Sequence, residues 1–105
     1  MILPPIPYTP EIYRHSGDLV VWYTPTGEHQ AAAFKVIERA RANDESFDFD
    51  GAVADVLTSA IARVQVGEEA HDAAAFLAAS APRLRYEVLG AIAGSRYDGD
   101  FLGKS

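Results

Sequence analysis

One run of this chain, Leu19-Val20-Val21-Trp22-Tyr23-Thr24, strongly favours a strand, and nearly everything after it carries helical spacing. That combination limits the fold more than any other feature. β-Branched and aromatic residues suit a pleated, half-buried surface. The Ser16-Gly17-Asp18 triplet predicts a turn, so a hairpin is expected over 11–24, with residues 11–15 and 19–24 as its strands. Two strands alone are marginal in water. The hairpin must therefore pack on helices or pair with another chain, and Trp22 is the expected anchor of its core, with exposed contact residue as the alternative.

Ahead of it, residues 1–10 hold four of the six prolines, Pro4, Pro5, Pro7 and Pro10, interleaved with Ile2, Leu3, Ile6 and Tyr8. Proline fixes φ and lacks a backbone donor, which favours an extended arm over a regular ladder. Two placements are open: a strap on its own domain, or an arm laid on a neighbouring subunit, because exposed Ile, Leu and Tyr side chains are a solubility liability. Candidate protein-binding residues are thus Ile2, Leu3, Ile6, Tyr8 and Trp22.

After the strand run, Thr24-Pro25-Thr26-Gly27 marks the change to helix, with Thr24 or Thr26 as cap. Helices are expected over 25–42, with Ala33, Phe34, Val36, Ile37 and Ala40 inward, and over 51–65, where Val53, Val56, Leu57, Ala60, Ile61 and Val64 form one face. Gly67 would end the second in left-handed geometry. A short helix over 72–79, capped by Asp72, carries Phe76 and Leu77, and a last one over 82–94 begins at Pro82 and stops at Gly94. Residues 96–105 are expected to be a flexible tail. The sequence thus reads as an α+β fold, predominantly α-helical: an N-terminal extended arm, then a single domain over 11–95 with a β-hairpin followed by about four helices.

The chain has no cysteine, which removes disulfides, thiolate metal sites and a thiol nucleophile. Net charge is −6, and between Asp44 and Asp72 eight acids face Arg63 alone. An acidic middle disfavours nucleic acid, whose phosphates need a basic face. No apolar run approaches the roughly 20 residues that span a bilayer. The start MILPPIPYTP lacks the charged head and long apolar stretch of a signal peptide, so a cytosolic location and no membrane partner are expected.

Chemistry is sparse. Phe47-Asp48-Phe49-Asp50-Gly51 resembles the nucleophile loop of haloacid dehalogenase-type phosphatases, in which Asp48 would attack phosphorus and Asp50 pass a proton beside Mg²⁺. That family needs a hydrophobic strand before the first Asp, whereas Ala42-Asn43-Asp44-Glu45-Ser46 reads as a helix end and polar loop. A helix cap is the better reading of Asp48 or Asp50. A calcium loop fails because its twelfth position would be Leu57. Glu68-x-x-His71 has the spacing of a di-iron motif but stands alone, and reads as a polar helix start. His15 and Glu28-His29 are likewise isolated, and no phosphate or dinucleotide fingerprint is present. No catalytic residue, metal, cofactor or small-molecule substrate is expected.

The order of elements, with VVWYTPTGE, IARVQVGEE and APRLRYEVLGAI, resembles the tail assembly chaperones of long-tailed bacteriophages over residues 11–95. The resemblance implies a mostly helical, non-enzymatic protein of the host cytoplasm that binds itself and the helical tape-measure protein during tail morphogenesis. The alternative is a structural connector or minor tail protein retained in the virion. The resemblance also implies a programmed −1 ribosomal slip near the end of the gene. Leu102-Gly103-Lys104 is what a slip heptamer such as GGGAAAA would encode.

Overall fold

The computed structural model describes residues 4–94, so Ile2, Leu3, the 96–105 tail and the Gly103-Lys104 pair lie outside the described residues. Within them the fold is α+β, with helices predominating. Four strands, β1 (Ile6–Tyr8), β2 (Leu19–Tyr23), β3 (Ile61–Val66) and β4 (Glu69–His71), form one antiparallel sheet in the order β1-β2-β3-β4. Helices α1 (Gly27–Arg41) and α2 (Phe49–Ala60) connect β2 to β3, while α3 (Ala73–Ala79) and α4 (Pro82–Ala93) come after β4.

Local signals set the helix ends. The Thr26 hydroxyl accepts from the His29 amide at 3.1 Å and starts α1; Asp48 and Asp72 do the same for α2 and α3, accepting from Gly51 and Ala75. Each side chain satisfies one of the orphan donors of a helix start. Pro82 sits in the first turn of α4, where its missing N–H costs nothing. The core lies between the helices and one face of the sheet. Leu19, Val21, Tyr23, Ile61 and Val64 point inward to meet Val53, Leu57, Phe76, Leu89 and Ile92, all buried.

Several expectations from sequence are corrected. Residues 11–24 are not a hairpin: Glu11–Tyr13 form a single 3-10 turn, and the partners of β2 are β1 and β3. The arm is not free of ladder pairing, since Ile6, Pro7 and Tyr8 stand opposite Tyr23, Trp22 and Val21. Pro7 is tolerated because β1 is an edge strand. The helix expected over 51–65 stops at Ala60, where the backbone turns extended at Ile61, with ψ 122°. From Ile61 onward the chain is β3, a central strand.

A bulge explains why β3 imitates a helix. Tyr23 pairs with Ile61 and Trp22 with Arg63, so one step on β2 spans two on β3 and Ala62 is the extra residue. A bulge resets the alternation of sides. Ile61 and Val64, three apart, therefore both reach the core, at the spacing of a helical face. Gly67 does adopt left-handed geometry, φ 60°, but in the β3–β4 turn instead of a helix end. On α1 the inward set is narrower than expected: Ala33 and Val36 are buried, whereas Phe34 is half exposed and Ala40 exposed.

Candidate protein-binding surface

Of the arm residues proposed for docking, Ile6 and Tyr8 pack against the core of their own domain. The clasp is Glu87 on α4, whose carboxylate accepts from the Tyr8 hydroxyl at 2.6 Å and from the Glu11 amide at 2.8 Å. Of the two placements left open by the sequence, the strap is the one adopted over residues 6–8. Glu87 carried no sequence signal, because its partners lie 76 and 79 positions away.

Burial first, and the Glu87 carboxylate second, push the Tyr8 phenol up to about 12. A raised folded value makes this clasp fully effective below the ordinary tyrosine value near 10 and lost as pH rises toward about 12. Stability is therefore expected to fall between pH 10 and about 12, and the fall to flatten in Tyr8→Phe. Urea titrations at several pH values measure both. An equal slope in the two proteins contradicts the assignment.

Trp22 does not anchor the core; Val21 and Tyr23 do that. By the alternation of β2, Trp22 lies on the opposite face of the sheet, half-buried, in line with Pro7 and Arg63. The Arg63 guanidinium lies 4.3 Å from the ring centroid, a cation–π contact that covers part of the indole. Val20, Gln65 and Ala70 form the adjoining row of this open face.

The Asp48-Phe49-Asp50 segment is a helix start, with no strand before it. A turn held by Asp44 precedes it, the Asp44 carboxylate accepting from the Ser46 hydroxyl and from Arg39, both at 2.6 Å. The Ser46 hydrogen bond, then Arg39, holds this carboxyl below the usual aspartate range. Asp48 caps α2, and Asp50 accepts from the Tyr86 hydroxyl, so each has a structural partner. Glu68 and His71 do not share a helical face either, because Glu69–His71 is β4. Among the described residues, no group of three His, Asp or Glu side chains is arranged to hold a metal ion.

Gly51 leaves room for the Asp48 cap. A Cβ on Gly51 would collide with the Asp48 carboxylate, so Gly51→Ala must displace the cap. Alanine adds about 1 kcal/mol of helix propensity, and losing the cap costs about 1 kcal/mol. The two should nearly cancel in Gly51→Ala. The same change in an Asp48→Ala background should stabilise by about 1 kcal/mol. Asp48→Asn should stay within about 0.5 kcal/mol, because asparagine caps comparably. Denaturant midpoints of the four proteins test the cycle.

An apolar concavity lies elsewhere, and no single stretch announces it. A cavity of about 270 Å³ opens between the inner face of the sheet, the Glu11–Tyr13 turn and α3, with Leu19, Val64, Phe76, Ala79 and Leu84 among its walls. A second groove of about 370 Å³ continues from it past Ile12 and Ala79 to Arg83 and Glu87. The two share Tyr13, Ala79, Ser80 and Leu84 as a common wall. The Ser80 hydroxyl oxygen on that wall is buried without a hydrogen-bond partner. These walls come from separate parts of the chain that only the sheet register brings together. Among the described residues, no helix is long and apolar enough to cross a membrane. No protein-family model, curated protein or solved structure matches the chain.

Proposed function

We propose that this protein is a non-enzymatic assembly factor of the phage tail chaperone type, binding itself and a long helical partner such as a tape-measure protein. The observation that supports it is apolar surface left open on separate parts of the domain. Ile12 is 77% exposed, Phe34 50%, Val66 43% and Tyr86 37%, and Trp22 sits on the uncovered face of the sheet. Scattered single residues would be unremarked on any protein. Here Ile12 and Val66 stand beside the apolar groove, which makes that surface suited to receive the apolar face of another helix.

The gene neighbourhood and a co-expression experiment test the reading. A very long helical open reading frame is expected directly downstream. Its product should be soluble only when expressed with this chain and should co-elute with it in size-exclusion chromatography with light scattering. A neighbouring product that is soluble alone and elutes separately would refute the assembly role.

A further inference from the structure

The geometry points to the groove between the Glu11–Tyr13 turn and the α3–α4 corner as a seat for a basic amphipathic helix, one whose apolar side chain fills the cavity while Lys or Arg side chains meet an acidic mouth. This deepens the assembly reading and rests on it for the identity of the partner protein.

Shape comes first. On α3, Ala75 and Ala79 lie four apart and both line the cavity, so no bulky side chain on that stretch blocks the approach of another helix. Small residues at a contact let helices approach closely. The cavity, at about 270 Å³, has room for one large aliphatic side chain, and its walls of Leu19, Val64, Phe76 and Leu84 are apolar.

Charge selects the occupant. Asp18 lines the cavity, and its backbone carbonyl accepts from the Gly67 amide at 3.0 Å, which brings Asp18 against the β3–β4 turn. That turn and the strand after it carry Glu68 and Glu69, with Asp72 beyond. His71, which also lines the cavity, lies 3.4 Å from Glu69. Arg83 stands at the opposite end of the groove, beside Glu87. The end next to the cavity is therefore the acidic one, and a helix with cations at that end is favoured over an acidic or neutral one.

A fluorescein-labelled synthetic helix of Leu and Lys, about 18 residues long, serves as probe, with a Leu/Glu version as its charge control. Fluorescence anisotropy should show binding of the Leu/Lys peptide to the full chain and at least about tenfold weaker binding of Leu/Glu. Ala79→Leu fills the seat and should also weaken the Leu/Lys peptide by about tenfold or more, the worth of one buried leucine. Ala75→Leu provides a second filling variant, and thermal melts confirm that both fold. Asp18→Asn should reduce the salt dependence of binding. Equal binding by wild type and both filled variants, equal affinity for the two peptides, or no binding of Leu/Lys overturns the proposal.

The downstream helical protein separates this inference from the reading beneath it. If that protein binds wild type and Ala79→Leu alike, the groove falls and the assembly role stands. If the peptides behave as expected but the downstream protein does not bind, the groove stands and the assembly role falls.

Discussion

Leu57→Ala is expected to cost about 3 to 4 kcal/mol and to lower the melting temperature by roughly 15–25 °C. Leu57 is fully buried on α2, which packs on α1, α3, α4 and β3, so its side chain has no route by which the surroundings can collapse cheaply into the space it leaves. A domain of this size has roughly 5–15 kcal/mol in total. The loss is thus a large share of it. Leu89→Ala, at an equally buried place on α4, should behave alike. Thr58→Ala, one position along from Leu57 but exposed, should change stability by less than about 0.5 kcal/mol. Chemical denaturation of the three proteins checks the contrast, and a small effect of Leu57→Ala would mean that α2 does not pack as described.

Deleting residues 1–10 is expected to cost about 3 to 5 kcal/mol, because it removes an edge strand, the half-buried Ile6 and Tyr8, the buried Pro10 and the Tyr8–Glu87 hydrogen bond together. Val21 and Tyr23 would then lose the strand opposite them. Glu87→Ala alone should cost about 1 to 2 kcal/mol, since it releases a charge-assisted clasp but leaves β1 paired. A strap that closes on its own domain makes these losses independent of protein concentration, whereas an arm exchanged between subunits would make them concentration-dependent. Melting curves over a hundredfold concentration range decide between the two.

The open groove belongs with these effects for a physical reason. Its walls include Leu19 and Val64 from paired strands, Phe76 from α3 and Leu84 from α4, and the Glu11–Tyr13 turn closes one side. The arm clasp through Glu87 holds that turn against α4. Loss of the clasp should therefore loosen the groove wall as well as the strap, and weaken the Leu/Lys peptide in Glu87→Ala.

Much of the fold is legible wherever a local rule decides the conformation. Thr26, Asp48 and Asp72 begin helices because an unpaired backbone N–H at a helix start takes the nearest side-chain acceptor, and that requires only residues three positions apart. Pro82 opens α4 and Gly94 comes after its last residue for equally local reasons. The strand character of Leu19–Tyr23 lies in its β-branched and aromatic side chains. The Asp48 cap is legible on the same footing, and the structure gives its neighbour Asp50 a partner in Tyr86 that sequence could not supply.

Local chemistry in the chain settles the α+β class, the start of each α-helix to within two residues and the strand at Leu19–Tyr23, because each depends on groups within one helical turn or one run of side chains. Long-range pairing alone makes Ile61–Val66 a strand, since its spacing continues the α2 stripe and only pairing Val21 with Val64, across a bulge at Ala62, makes the extended form the stable one. The same pairing puts Trp22 outside and Tyr23 inside, because the register of β2 against both neighbours chooses which alternating face meets the helices. The strap, the Glu87 clasp and the acidic-mouthed groove depend on that register, which is set by contacts far apart in the chain and carries no local mark.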